Sequence, residues 1–123
     1  MDKKNPTGTG YFSLNRKANH TPGAYSVAIG HQTTASGDYS FAEGDITVAS
    51  ASYSHAEGCE TTASGDASHT EGGYTTASGA YSHAEGNSNI ASGTGSHAEG
   101  GQTTASGYYS HSQGYGTKTT HKS

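Results

Sequence analysis

Histidine and glutamate recur in this sequence as a pair two residues apart: His55 and Glu57, His69 and Glu71, His83 and Glu85, His97 and Glu99, with His111 closing the series ahead of Gln113. Glu43 extends the carboxylates toward the N-terminus, where Phe41 and, one step earlier, Val27 and Ile29 take the places of histidine and glutamate. Imidazole and carboxylate groups in such numbers could do three kinds of chemistry. They could hold a zinc, nickel or iron ion. They could form a nucleophilic triad with the serine that precedes each histidine, as Ser54 precedes His55. They could also neutralise one another as a polar network. Which of these is open depends on the elements that carry them.

Those elements follow from a repeat. From Gly23 to Thr120 the chain divides into seven blocks of 14 residues without insertion or deletion. The fourth position is serine in every block, from Ser26 to Ser110, and the eighth is glycine, from Gly30 to Gly114. Glycine also opens every block but the third, where Ala51 stands, so each block reads strand, turn, strand, turn with glycine at both corners. A helix is excluded, because glycine costs about 0.8–1 kcal/mol per helical residue and the apolar positions do not recur at 3.6. Side chains alternate across a strand. Positions four, six, eleven and thirteen carry serine, alanine, threonine and alanine with few exceptions, and make a lining of small residues. Positions five and seven carry the large side chains, which a coil of 14 residues cannot enclose, so these face outward. The expected fold is all-β: a narrow β-solenoid whose seven coils, stacked at about 4.8 Å, form a rod roughly 34 Å long. Residues 1–9 are expected to be a flexible leader and 10–22 a degenerate capping coil with Ser13-Leu14-Asn15-Arg16 in place of Ser-His-Ala-Glu. The coils then span 23–120, and 121–123 form a tail, with Lys118 and Lys122 making a polar end.

In that frame Ser54 and His55 point to opposite faces, which excludes the triad. Stacking in register places Glu43, Glu57, Glu71, Glu85 and Glu99 in one column and His55, His69, His83, His97 and His111 in another. All six basic residues (Lys3, Lys4, Arg16, Lys17, Lys118 and Lys122) lie toward the ends, whereas nine of the ten acids lie between Asp38 and Glu99. Histidine is thus the internal counter-cation. Carboxylate partners are expected to raise the histidine pKa above its usual ~6.5, so that stability peaks at about pH 5–6.5. Two readings of the columns remain: a polar network between chains that fixes register, or an ion held on a symmetry axis by His55, His69, His83 and His97. The network is adopted, and no cofactor is expected.

Outside alanine, tyrosine and the single cysteine, the large apolar residues are nine: Met1, Phe12, Leu14, Val27, Ile29, Phe41, Ile46, Val48 and Ile90. Burying one such side chain gains roughly 1.5–3 kcal/mol, while ordering each residue's backbone costs about 1–2 kcal/mol, so a monomeric globule is excluded. The missing stability must come from contacts between chains, and the face carrying Val27, Ile29 and Phe41 with the histidine and glutamate columns is the expected interface. Tyr25, Tyr39, Tyr53, Tyr81 and Tyr109, at the third position, share its parity. No run of about 18 apolar residues exists, and Met1-Asp2-Lys3-Lys4 leads into no apolar core, so neither membrane insertion nor a signal peptide is expected. A net charge of −4 without basic residues along the rod excludes nucleic acid as a partner. Cys59 permits no internal disulfide and reads as an incidental thiol. The threonine ladder running from Thr33 would suit an ice-binding face, but parity turns it inward.

Ser26-Val27-Ala28-Ile29-Gly30 resembles the signature pentapeptide of the YadA-like head repeats of trimeric autotransporter adhesins, and Thr-Thr-Ala-Ser-Gly matches the rest of that unit. The resemblance covers about residues 10–117. It implies a left-handed parallel β-roll, a homotrimer about a common axis, and a surface or fibre role without catalysis. The Ser-His-Ala-Glu-Gly variant is similar to repeats in tail-fibre proteins of phages and prophages of Gram-positive bacteria. The expected function is therefore a non-catalytic structural and adhesive module, a rigid trimeric rod in a phage tail fibre or bacterial surface adhesin, located on the virion tail or cell surface. The alternative is a dedicated binder of a host glycan or matrix protein that reads the variable corners at positions nine and ten, such as His31-Gln32 and Asp45-Ile46.

Overall fold

The computed structural model describes residues 12–16 and 20–121, and every regular element among them is a β-strand. After β1 (Phe12–Arg16) and β2 (Val27–Ala35), each coil contributes two strands: β3 (Phe41–Asp45) and β4 (Val48–Ala49), β5 (His55–Cys59) and β6 (Thr62–Ala63), β7 (His69–Thr70) and β8 (Thr76–Ala77). The series continues with β9 (His83–Asn87) and β10 (Ile90–Ala91), β11 (His97–Gly101) and β12 (Thr104–Ala105), and β13 (His111–Ser112) and β14 (Lys118–Thr119). All pairings are parallel, and from β2 onward each residue is paired with the one 14 positions ahead, as Val27 with Phe41, Phe41 with His55 and His97 with His111. Two ladders result: odd-numbered strands stack on one side, even-numbered strands on the other, and β2 is long enough to run through both. This is the solenoid of 14-residue coils that the spacing predicts.

The interior is built from small side chains, as parity requires. Eleven alanines, from Ala28 to Ala105, are 0–3% exposed, and buried serines and threonines fill the space between them. Some of the hydroxyls turn back on their own coil: Ser54 Oγ donates to the Ala51 carbonyl at 2.6 Å and Thr61 Oγ1 to the Glu57 carbonyl at 3.1 Å. Where the sixth position is Thr70 or Ser112 instead of alanine, the strand shortens to two residues.

The eighth-position glycines all have positive φ, from 95° to 129°, as turns there require, but they are not alone. The third and tenth residues of each block also lie in the left-handed region, among them Tyr25, Tyr39 and Tyr53 at φ 58–61° and Ile46, Glu60 and Tyr74 at φ 55–58°. A bulky residue held there costs about 1–3 kcal/mol unless its surroundings fix it. Here the coil beneath does so: Tyr39 N–H donates to the Ala24 carbonyl at 2.8 Å, and Ile46 N–H to the His31 carbonyl at 2.8 Å. The opening glycine has another reason to be glycine, since a Cβ on Gly23 would lie 2.0 Å from the Gly37 carbonyl oxygen of the next coil. Its absence of a side chain lets the backbones stack closely, whereas Gly86, at φ 105°, also uses the conformational freedom.

The register of the first strand differs from the expectation. Phe12, Ser13 and Leu14 pair with Val27, Ala28 and Ile29, two places away from the expected alignment, with an irregularity before Arg16. A shift of two residues keeps the strand's parity. The expected leader, residues 1–9, lies outside the described residues, as do Lys17 and Lys122.

Candidate functional site

The odd-numbered strands carry the large side chains on their outer side. β5, β9 and β11 each contribute one histidine, then an inward alanine, then one glutamate. In the coil of β7 the inward residue is Thr70, and β3 has Phe41 in the place of histidine. The 14-residue register aligns His55 with His69, His69 with His83, and Glu43 with Glu57. The imidazole rings of His55, His69, His83, His97 and His111 stack nearly parallel, with centroids 4.7–4.8 Å apart. Phe41 ends the stack edge-on to His55 at 5.1 Å.

The glutamates zigzag between histidines of successive coils. Glu57 reaches His55 Nε2 at 3.4 Å with one oxygen and His69 Nε2 at 3.8 Å with the other. Glu71 lies between His69 and His83 at 3.9 and 3.8 Å, and Glu85 between His83 and His97 at 3.8 and 3.3 Å. At the C-terminal end the contact closes, with Glu99 and His111 Nε2 at 3.0 Å. The Nε2 atoms of His55, His69 and His83 are shielded from solvent and make no hydrogen bond. On their far side the five glutamates and the eighth-position glycines Gly44 to Gly100 line a shallow open groove along the rod.

This geometry reverses the expected histidine shift at His69. Burial holds its pKa below 6.5, and the neighbouring rings of His55 and His83 add to that by opposing a charge between them; Glu71 and Glu57 act in the other direction without prevailing. The sequence placed the carboxylates correctly but could not weigh them against two imidazoles at stacking distance.

The remaining candidates fall as follows. Val27, Ile29 and Phe41 are half-buried on the same outer columns, ahead of the histidines and glutamates. Tyr25, Tyr39 and Tyr53 form a stack of their own at one corner, with centroids 5.1 and 5.2 Å apart. The threonine ladder from Thr33 to Thr103 is fully buried. Ser54 bonds the Ala51 carbonyl and not His55. His31 Nδ1 and Asp45 meet at 2.6 Å on the opposite corner, a pair that the spacing of 14 could have revealed. Asn89 is a residue whose role the sequence signalled only as a break in the threonine column. Fully buried, it accepts from Thr103 N–H at 2.7 Å and donates to the Gly100 carbonyl at 2.8 Å and to the Glu85 carbonyl, tying two coils together.

A stacked parallel solenoid with a small-residue lining is a structural repeat architecture, and among the described residues most of its variation falls on the outer columns and corners, with Thr70, Asn89 and Ser112 among the exceptions inside. The YadA head domain repeat family matches in two copies, over residues 22–45 and 84–110. Those two segments are YadA-like head repeats, and the coils between them continue the same register unbroken. No curated protein matches the chain. The repeat is that of adhesin-type structural modules.

Proposed function

We propose that the chain is a non-catalytic structural and adhesive rod, in which three copies pack side by side through the face formed by Val27, Ile29, Phe41 and the histidine–glutamate ladder. The observation that carries this reading is the inversion of size between inside and outside. Among the described residues nothing larger than threonine or Asn89 is fully buried, while half-buried phenylalanine, valine and isoleucine stand on one outer face. A coil lined with alanine and serine removes little apolar surface from water, so covering that face supplies the missing stability. The YadA-type repeat supports three copies as the number and a surface-exposed setting, in a phage tail fibre or a bacterial adhesin. The rod presents its outward corners to a host-cell glycan or protein.

Sedimentation equilibrium at micromolar concentration tests the assembly: a single species of three times the chain mass is expected, and a stably folded monomer would overturn it. Binding to a panel of glycans and matrix proteins tests the adhesive role. Phe41→Asp should dissociate the assembly, since it places a charge at the apolar end of the face.

A further inference from the structure

We infer that the histidine–glutamate ladder is a divalent transition-metal site, zinc-like in its ligand set, in which one ion is held between two successive coils by two histidine Nε2 atoms and the carboxylate that lies between them. Three such triads overlap: His55–Glu57–His69, His69–Glu71–His83 and His83–Glu85–His97, their ligand atoms all within 4.8 Å of one another. The distances carry the argument. Direct hydrogen bonds between imidazole and carboxylate would be about 2.7–2.9 Å, yet five of the six pairs within these triads stand at 3.4–3.9 Å and the sixth, Glu85 with His97, is a long hydrogen bond at 3.3 Å. Ligands around a tetrahedral zinc ion at about 2.0–2.2 Å are spaced about 3.3–3.5 Å apart. Apart from Glu85 and His97, the groups are therefore too far apart to bond each other, and all six pairs are near the separation at which they would share an ion. The two histidines of a triad are the wider pair, and a small rotation of the rings about χ2, a soft torsion, brings them within reach.

Two further observations agree. The Nε2 atoms of His55, His69 and His83 are buried and lack hydrogen bonds, as ligand atoms awaiting a partner would. No lysine or arginine lies between Lys17 and Lys118, so the glutamate column has no other cation to relieve its repulsion. The site is made within one chain and does not depend on assembly.

The ladder also sets a stoichiometry. Each Nε2 binds one ion, so adjacent triads sharing His69 or His83 cannot both fill. Saturation places ions at Glu57 and Glu85 and leaves Glu71 without one: two ions per chain. The test is titration of the chelator-stripped full chain with Zn2+ against a chromogenic chelator, with thermal melts alongside. Two ions per chain and a melting point raised by Zn2+ and restored by chelator are expected. Glu71→Gln should retain both ions. Glu57→Gln with Glu71→Gln and Glu85→Gln should lose both, the affinity falling at least a hundredfold, and so should His69→Asn with His83→Asn, which leaves the carboxylates intact. Unchanged binding in either multiple variant, no binding in the wild type, or one ion per three chains at each histidine level would overturn the assignment. Because ions are counted per chain, a monomer that binds two would refute the trimer and leave this site standing.

Discussion

Asn89 and the alanines show how little freedom one residue has inside this coil. Removing the amide with Asn89→Ala leaves the Thr103 N–H and the Gly100 and Glu85 carbonyls without their partner. Each orphaned buried group costs about 1–3 kcal/mol, so the variant should lose several kcal/mol in denaturant melts, whereas Asn89→Thr, which restores the column's own residue, should lose less. The alanine column makes the opposite demand. Ala56 and Ala84 are fully buried and paired through the strand ladders with Ala42 and Ala98. Overpacking typically costs 1–3 kcal/mol in a core that can adjust. A coil this narrow has nowhere to shift, so Ala84→Leu should abolish the cooperative melt followed by circular dichroism. Wild-type melting would mean that inner and outer faces are exchanged.

At the scale of the strand, His69 lies 4.7 Å from the rings of both His55 and His83, and burial first, then those two rings, lower its pKa. Its folded pKa is depressed, so the unfolded chain binds more protons as pH falls, and stability rises with pH. That contribution is complete above about pH 6.5 and is lost as the pH drops toward the lowered folded value. Melting temperatures of the metal-free chain should therefore fall between about pH 7.5 and pH 5.5, and His69→Asn should flatten the slope. A maximum on the acidic side would show that the carboxylates dominate after all.

For the whole molecule, the exact 14-residue register makes the coil the unit of stability, because each coil touches only its neighbours. Deleting residues 65–78 should leave a shorter rod that still melts cooperatively at a lower temperature, with Ala51–Ser64 now followed by Gly79 in the same register. Deleting seven residues, 65–71, should lower the melting temperature further than deleting fourteen. The inner positions four, six, eleven and thirteen are seven apart and stay inside, but every later histidine moves from the odd-numbered ladder to the other one, which breaks the outer columns. Circular dichroism of the two deletions side by side checks this.

The period, the strand character and the division into inner and outer columns were legible in the sequence, because alternation along a strand is local and seven repeats average out the exceptions. That is why Ser54, Ala56, Thr61 and the His55–Glu57 pair all lie where their spacing puts them. Three things were decided by the packed coils alone. Which corner residue turns left-handed depends on the carbonyl offered by the coil beneath, as Ala24 offers one to Tyr39. The place of Phe12 depends on which column its strand meets. The direction of the His69 shift depends on burial and on distances to His55, His83, Glu57 and Glu71, and a residue's neighbours across coils acquire distances only when the chain has closed on itself.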